Sequence, residues 1–339
     1  MQSIEDNKHI FLTQSFGKES ECKRAILAVL SAFVHWNSGL DKIKVVLYTD
    51  NPGFFKNWLS GIEVDYVLLT PAKVKVMRGE IDFLHRMKIA LIEETFNSNP
   101  EANIFYFDSD TFFIENPIRI LNAVDDNNSF MHLLEYPFTD IKEMPLPSGE
   151  TFQAFYRLAT SKQFTLINGG TIDIKPDECS WNAGVMCFHH SHHRFINDVY
   201  HLTDQFYPET KNHASEQYAF SIMLQKFTTL KPCEDIVYHY WYRIKKEIMD
   251  KLLAKNSFTS IEMLPLEAKI AKLKPFLIEL PTLLENDYLS LLDNAVQTFN
   301  EDKFREGYAW YFKAVCKNPF ASMKMLKDVI YHTKRFFDK

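Results

Sequence analysis

Short apolar runs alternate with longer segments of helical periodicity along the first 240 residues of the chain. The runs that predict buried strands lie at residues 9–17, 42–50, 64–70 and 104–107. Between them, residues 21–36 and 82–96 have apolar side chains at helical spacing. Strands that alternate with helices predict parallel βαβ units, in which ligand sites lie at the carboxyl ends of the strands.

Residues 131–180 break this regular pattern. We interpret them as an insertion with a hairpin near residues 165–174. Its turn-forming residues include Pro137, Pro145, Pro147, Gly169 and Gly170.

After the insertion the pattern becomes regular again and then wholly helical. A buried strand is predicted at 181–189, followed by a helix that starts at the capping-type residue Ser215 and by a strand from residue 235. From about Lys246 onward the periodicity is helical. The fold class predicted is therefore α/β, with a domain at 1–245 and a helical C-terminal region at 246–339.

Two aspartates interrupt an aromatic, apolar stretch of the chain, which reads FYFDSDTFFI at residues 105–114. A carboxylate is costly to bury without a partner, and two at one strand end repel each other unless a cation lies between them. A Mg²⁺ or Mn²⁺ ion bound by Asp108 and Asp110, with phosphate oxygens in its other positions, meets that need. The alternative is a strand end with both aspartates solvated in a turn or helix cap.

Composition and charge exclude several classes of function. The chain has 339 residues, 46% of them hydrophobic and 24% charged, with a net charge of −6, which argues against general nucleic-acid binding. No apolar run approaches the roughly 20 residues of a membrane span. The N-terminal sequence MQSIEDNKHIFLTQ lacks an apolar signal core, and the five scattered cysteines contain no CxxC pair. We therefore expect a cytoplasmic protein with reduced thiols.

The charge is distributed unevenly. Residues 241–339 carry 17 Lys and Arg against 13 Asp and Glu, a net charge of +4, which leaves −10 for residues 1–240. The end of the chain mixes aromatic residues with basic ones, and these are Lys313, Lys317, Lys324, Lys327, Lys334, Arg335 and Lys339. Such a segment is more often a packed helix with a solvated basic face, and the alternative is peripheral contact with an anionic membrane surface, here the inner face.

Taken in order, the motifs resemble those of GT-A nucleotide-sugar glycosyltransferases, which have a Rossmann-like mixed sheet with flanking helices. The sequence is most similar to the retaining family that includes glycogenin and bacterial lipooligosaccharide galactosyltransferases. The resemblance covers roughly residues 8–245. Its motifs are a strand ending at Gly17, a strand ending in Thr49-Asp50, HRMK, FYFDSD, WNAGVM, the pair Glu216-Gln217 and HYW. The chain departs from the family after His239, where Tyr240, Trp241 and Tyr242 replace the family's Gly and Lys-Pro pair.

The resemblance implies a metal site. Asp110 would ligate the ion directly, Asp108 would bind the ion or the donor ribose, and His239 would be a third ligand. Mn²⁺ accepts mixed carboxylate and imidazole ligands better than Mg²⁺ does. The alternative for His239 is a packed core histidine.

The resemblance also implies contacts to a UDP-sugar donor. Arg86 is favoured as the guanidinium that binds the phosphates, with Lys88 beside it, although a solvated basic pair is the alternative. The uracil and ribose would be framed by Phe16, Gly17 and Asp50, although Gly17 could equally be a simple turn glycine.

Two further motifs would face the transferred sugar. Asn182 offers an amide to a sugar hydroxyl, and the small residues Ala183 and Gly184 let the backbone approach the sugar closely. Glu216 and Gln217 resemble the acidic-Gln pair of the retaining family, whereas a first-turn carboxylate stabilised by the helix dipole is the alternative for Glu216.

We therefore predict a metal-dependent hexosyltransferase that moves a sugar from a UDP-sugar to a glycan or lipid-linked saccharide with retention of configuration. Three other functions stay open. The first is an inverting transferase with Glu216 as the base, and the second is a nucleotidyltransferase, for which SFGKES is a poor phosphate loop. The third is a non-catalytic sugar-binding protein.

Overall fold

The computed structural model describes residues 9–36, 43–144, 149–167, 169–322 and 326–337. Residues 1–8, Pro145, Pro147, Lys324 and Lys339, which the sequence analysis singled out, lie outside the described residues. The chain divides into two compact units, residues 1–239 and 240–339.

A seven-stranded mixed sheet forms the centre of the first unit. Its strands, from one edge to the other, are β12 (Thr229–Pro232), β6 (Asn128–Met131), β11 (Val185–Phe188), β4 (Ile104–Phe107), β1 (His9–Gln14), β2 (Ile43–Thr49) and β3 (Val64–Leu68). Strands β4, β1, β2 and β3 are parallel, whereas β11 is antiparallel to both β4 and β6. This arrangement confirms the predicted α/β class with a mixed, Rossmann-like sheet.

Three two-stranded ribbons accompany the sheet, and each pairs its strands antiparallel. They are β5 (Thr111–Phe113) with β13 (Val237–His239), β7 (Leu134–Pro137) with β10 (Cys179–Trp181), and β8 (Phe164–Thr165) with β9 (Thr171–Ile172). The last ribbon matches the hairpin predicted near residues 165–174.

Helices cover the sheet. They are α1 (Glu19–His35), α2 (Pro52–Phe55), α3 (Pro71–Arg78), α4 (Arg86–Ser98), α5 (Ile118–Ala123), α6 (Phe138–Ile141), α7 (Glu150–Ser161), α8 (Ile196–Thr210) and α9 (Ser215–Phe227), with a 3₁₀ helix at His190–Phe195. The hydrophobic core is rich in aromatic residues, and Phe11 on β1 packs edge-on against Phe105 and Phe107 on β4. Such contacts add to the stabilisation from apolar burial.

Register places the carboxyl ends of three strands together. Leu12 pairs with Tyr106, and Gln14 pairs with Tyr48. The residues that follow β1, β2 and β4 therefore emerge at the same edge of the sheet, which is where ligand sites of parallel α/β sheets lie.

Three local expectations from the sequence were wrong. Helix α4 begins at Arg86 rather than at Asp82, because Asp82 has a positive φ of 50° and belongs to the preceding turn. The irregular insertion contains a helix, α7, that the sequence analysis missed. Ser215 lies inside α9 and its hydroxyl donates to the carbonyl oxygen of Asn212 at 2.7 Å, so it does not cap the helix.

The described residues of the second unit form helices joined by turns, with no strand among them. Its helices are α10 (Arg243–Leu253), α11 (Asn256–Thr259), α12 (Leu266–Glu285), α13 (Tyr288–Asn300), α14 (Phe304–Lys317), α15 (Pro319–Ser322) and α16 (Leu326–Phe337). Across the described part of the whole chain, none of the helices combines the length and apolar character needed to cross a bilayer.

Candidate active site

Strand pairing brings Asp108, Asp110 and His239 together. The two aspartates lie in the turn between β4 and β5, and β13 pairs with β5 so that His239 lies opposite Thr111. One ligand atom from each of the three residues lies within 4.8 Å of the others. Asp110 and His239 are buried, and the carboxylate of Asp108 is partly exposed. The sequence-predicted ligand set is thus one spatial cluster.

The ring of His239 has a defined orientation. Its Nδ1 lies 2.9 Å from Asn182 Oδ1, and its Nε2 lies 3.5 Å from Asp110 Oδ1. Behind it, the ring of His132 packs edge-on at a centroid distance of 5.3 Å. Burial, and secondarily the neighbouring His239, lowers the pKa of His132 to about 3, so His132 is neutral at physiological pH.

The donor set fits a divalent cation of intermediate hardness. Two carboxylates and one imidazole supply oxygen and nitrogen ligands, a combination suited to Mn²⁺, while Mg²⁺ prefers oxygen alone. Three protein ligands leave coordination positions for phosphate oxygens.

A buried lysine lies beside the cluster. Lys88 Nζ lies 3.4 Å from Asp108 Oδ2 and 3.3 Å from Glu216 Oε1, and it donates to the carbonyl oxygen of Ala183 at 3.1 Å. Burial lowers the pKa of Lys88, but the two carboxylates outweigh burial and the net pKa is raised. The ammonium group is therefore charged and lies within ion-pair distance of both carboxylates.

Tyr106 contributes a second partner for Asp108. Its hydroxyl donates to Asp108 Oδ1, and Gln14 Nε2 approaches the same hydroxyl at 3.5 Å. Burial and the Asp108 carboxylate raise the pKa of Tyr106 well above its ordinary value. The phenol consequently stays protonated and can only act as a donor to the carboxylate.

Glu135 is a site residue that the sequence analysis missed. It lies on β7, and the pairing of β7 with β10 brings its carboxylate to Asn182, Ser180 and Gln217. A solitary glutamate in an irregular insertion gives no local signal in the sequence. Only the long-range pairing reveals it.

The predicted sugar-facing residues converge at the same place. Gln217 Oε1 accepts from the backbone N–H of Ala183 at 3.2 Å, and the N–H of Gly184 donates to Asn182 Oδ1 at 3.0 Å. Glu216 is buried, and its Oε1 faces Lys88. The motifs WNAGVM and Glu216-Gln217 therefore form one wall beside the aspartate cluster.

The predicted nucleotide-facing residues lie at the ends of β1 and β2. The N–H of Gly17 donates to Asp50 Oδ2 at 3.0 Å, and Gly17 has φ +88°. A non-glycine residue rarely adopts that conformation. Phe16 is partly buried against the core.

Arg86 is not part of this cluster. Its Nε lies 2.7 Å and its Nη2 3.0 Å from the two carboxylate oxygens of Asp204, and its guanidinium lies 4.5 Å from the ring of Tyr200. A third nitrogen donates to the carbonyl oxygen of Met77. The structure thus brings Lys88, rather than Arg86, to the aspartates.

The sequence matches no protein-family model and no curated protein. Three solved structures of glycosyltransferases are similar to this chain. Apo mouse xyloside xylosyltransferase 1 has a TM-score of 0.43 at 12% identity, over 66% of this chain and 84% of that one. The galactosyltransferase LgtC, in complex with donor and acceptor sugar analogues, has a TM-score of 0.43 at 10% identity, over 73% and 96%. The glycosyltransferase GlyE of Streptococcus pneumoniae TIGR4 has a TM-score of 0.39 at 14% identity, over 78% and 53%.

Proposed function

We propose that the chain is a metal-dependent glycosyltransferase that uses a UDP-sugar as donor. The observation that carries this proposal is the convergence of Asp108, Asp110 and His239 on one potential cation site at the carboxyl edge of the sheet. Residues 1–245 would be the catalytic domain, with residues 131–180 on the acceptor side.

The metal would be held by Asp110 and His239 in the buried part of the cluster, with Asp108 as the third ligand. When bound, Mn²⁺ or Mg²⁺ supplies a Lewis acid that neutralises charge on the departing diphosphate. Lys88 fixes the direction of the Asp108 carboxylate, and Tyr106 donates to the other oxygen of the same group. Both contacts reduce the reorganisation that the site needs when a ligand binds.

The donor would lie across the ends of β1, β2 and β4. Phe16 would stack on the uracil, and the turn at Gly17, which Asp50 stabilises, would approach the ribose. Lys88 Nζ lies 3.4 Å from Asp108 Oδ2 and would add positive charge on the phosphate side. Arg86 would act on the donor only indirectly, because Asp204 already occupies its guanidinium.

The transferred sugar would face Asn182, Gly184, Glu216 and Gln217. Retention is the outcome we propose. An inverting enzyme needs a carboxylate base at the acceptor hydroxyl. The Glu216 carboxylate is buried and its Oε1 lies 3.3 Å from the Lys88 ammonium, so it is already engaged by a cation inside the protein, which supports retention over the inverting alternative. The anomeric configuration of the product, read by NMR from an α-linked donor, tests this point, and a β-linked product would make Glu216 the base.

The acceptor we propose is a glycan or a lipid-linked saccharide. Contact with an anionic membrane surface is supported by the exposed side chains of the second unit. Phe320 on α15 is 86% exposed and Phe312 on α14 is 64% exposed. On α16, the exposed residues Leu326 and Ile330 are spaced i, i+4, so they lie on one helix face.

The charge of the same helices suits that surface. Lys327 and Lys334 on α16 and Lys313 and Lys317 on α14 are all exposed. Aromatic side chains enter the interface while lysines attract anionic headgroups, at roughly 1 kcal/mol per lysine near the surface. The protein would then act at the cytoplasmic face of a membrane that carries its acceptor.

A thermal-shift panel of nucleotide sugars, with and without Mn²⁺, tests the proposed function. A ligand at 100 times its dissociation constant stabilises the folded state by about 2.7 kcal/mol. We expect a shift with at least one UDP-sugar that requires the metal and that disappears in Asp110→Asn. Shifts that are identical with and without Mn²⁺ would contradict the metal site. Stabilisation by nucleoside triphosphates alone would favour the nucleotidyltransferase alternative.

A further inference from the structure

The carboxylate of Glu135 sets the direction of two side-chain amides. Asn182 Nδ2 donates to Glu135 Oε1 at 3.0 Å, and Gln217 Nε2 donates to Glu135 Oε2 at 2.7 Å. A carboxylate accepts hydrogen bonds and donates none. Both amides must therefore turn their NH₂ groups toward Glu135 and their oxygens away from it.

The amide oxygen of Asn182 in turn acts on the imidazole of His239. Asn182 Oδ1 accepts from the N–H of Gly184 at 3.0 Å and lies 2.9 Å from His239 Nδ1. Because an amide oxygen carries no proton, the proton of this hydrogen bond belongs to Nδ1. The other ring nitrogen, Nε2, is the one directed at Asp110 Oδ1, 3.5 Å away.

We propose that Glu135 is a positioning residue for the metal site: through Asn182 it fixes the Nδ1-protonated tautomer of His239 and thereby makes Nε2 the ligand atom. This deepens the proposed function and rests on the metal site proposed there. The chain of hydrogen bonds therefore begins at Glu135 on β7, passes through Asn182 in the WNAG turn and ends at His239 on β13. A ligating histidine whose other nitrogen donates to a second residue is the usual way to fix ring orientation, and loss of that partner typically costs 10- to 100-fold in metal affinity.

A carboxylate is required at residue 135, and an isosteric amide does not suffice. Glutamine presents one oxygen and one NH₂, so it cannot accept from both Asn182 and Gln217. In Glu135→Gln one of the two amides must rotate or lose its partner. When the Asn182 amide rotates, its NH₂ group faces the N–H of Gly184, so two donors oppose each other. The same NH₂ group then donates to His239 Nδ1, which favours the tautomer with no proton on Nδ1. The proton then moves to Nε2, the atom that should bind the metal.

The role can be measured on the full-length protein in two ways that do not require activity. Mn²⁺ affinity is measured by electron paramagnetic resonance in the wild type, Glu135→Gln and Asn182→Ala. The ring nitrogens of His239 are assigned by ¹⁵N NMR in the metal-free protein at pH 8. We expect 10- to 100-fold weaker Mn²⁺ binding in both variants, and a gain of Nε2-protonated His239 in Glu135→Gln.

Asn103→Ala is the matched control. Asn103 is also buried, and its Oδ1 accepts from the N–H of His190 at 3.0 Å, but it precedes β4 at the opposite end of that strand. We expect its Mn²⁺ affinity to equal that of the wild type. This separates a general cost of deleting a buried amide from an effect transmitted to His239.

The outcomes distinguish this inference from the proposed function. Wild-type Mn²⁺ affinity and an unchanged His239 tautomer in both Glu135→Gln and Glu135→Leu, the second of which leaves neither amide an acceptor at residue 135, would overturn the positioning role. A wild-type protein that binds no Mn²⁺ would instead overturn the metal site of the proposed function. In that event the tautomer of His239 in the metal-free wild type and Glu135→Gln still tests the positioning role. If Asn182→Ala fails to fold, the two Glu135 variants decide.

Discussion

The imidazole of His239 occupies the space that a side chain on residue 184 would need. A Cβ built on Gly184 would overlap the ring atoms of His239 and would lie 2.7 Å from its Nε2. The need for glycine at residue 184 is therefore steric, and it does not come from a left-handed backbone conformation. Gly184 is the residue that lets β13 bring His239 against the turn at Asp108, whose N–H donates to the carbonyl oxygen of Gly184 at 2.8 Å.

Gly184→Ala should displace His239 and weaken metal binding. Overpacking at a buried position also costs about 1–3 kcal/mol of folding stability. We expect at least a tenfold loss of Mn²⁺ affinity by isothermal titration. Gly53→Ala serves as the control, because a Cβ there meets nothing closer than Asn51 Oδ1 at 3.6 Å. Wild-type metal affinity in Gly184→Ala would show that His239 is not held in this position.

Lys88→Met should destabilise the fold, because it leaves Asp108 and Glu216 without their shared cation. Removal of one partner from a buried ion pair typically costs about 3–5 kcal/mol. Lys73→Met is the control variant. It removes the more exposed ion pair with Glu94 and should lower the free energy of unfolding by less than about 1 kcal/mol. Urea denaturation measures both values. Equal small losses in the two variants would mean that the carboxylates beside Lys88 do not depend on its charge.

Acidification should destabilise the first unit through His192. Its Nδ1 accepts from the N–H of His189 at 3.3 Å and its Nε2 lies 3.2 Å from the carbonyl oxygen of Asp126, so both nitrogens are used by the neutral ring. Burial lowers the pKa of His192 from 6.5 to about 4. Between these values the unfolded state binds the additional proton, so stability rises with pH there and falls as the pH drops from 6.5 toward 4.

The free energy of unfolding should fall by about 3 kcal/mol between pH 6.5 and pH 4 because of His192, since each pKa unit corresponds to roughly 1.4 kcal/mol. Denaturation midpoints of the wild type and His192→Gln, measured between pH 4 and pH 7.5, test it. The variant should show a shallower dependence on pH over that window. Parallel curves for the two proteins would assign the acid sensitivity to other groups.

Deletion from Asn318 onward should spare nucleotide binding and weaken association with anionic vesicles. The deletion removes the exposed Phe320, Leu326 and Ile330 together with Lys327 and Lys334. Co-sedimentation with vesicles that contain phosphatidylserine, compared with neutral vesicles, measures the difference. A charge-reversed variant, Lys327→Glu with Lys334→Glu, keeps the chain length constant. Equal binding of all three proteins to anionic vesicles would remove the membrane proposal.

Local signals in the sequence were sufficient for the parts of the site that lie directly after buried strands. Asp108 and Asp110 follow β4, and His239 ends β13, so the apolar runs before them mark their places. Glu135 could not be found in this way. Its partners Asn182 and Gln217 lie 47 and 82 residues away along the chain, and only the pairing of β7 with β10 brings them close.

Arg86 and Lys88 illustrate a second limit. Two residues apart on α4, they are separated by about 200° around the helix axis and so point to nearly opposite sides. The motif HRMK identifies a basic helix start but does not reveal which face meets the sheet edge. Packing decides this, because α8 presents Asp204 and Tyr200 to Arg86 and leaves Lys88 for Asp108.

The sharpest test of a metal-dependent UDP-sugar transferase is the release of UDP from UDP-sugars with and without Mn²⁺, in the absence of an acceptor. Wild-type protein and Asp110→Asn are compared at equal concentration after both are shown to be folded by circular dichroism. We expect slow, metal-dependent hydrolysis of at least one UDP-sugar by the wild type. The rate should fall by at least 100-fold in Asp110→Asn, as expected when a group that stabilises the transition state is lost. Metal-dependent hydrolysis that persists unchanged in Asp110→Asn would contradict the assignment of the cluster. No hydrolysis of any UDP-sugar by the wild type would contradict the transferase itself.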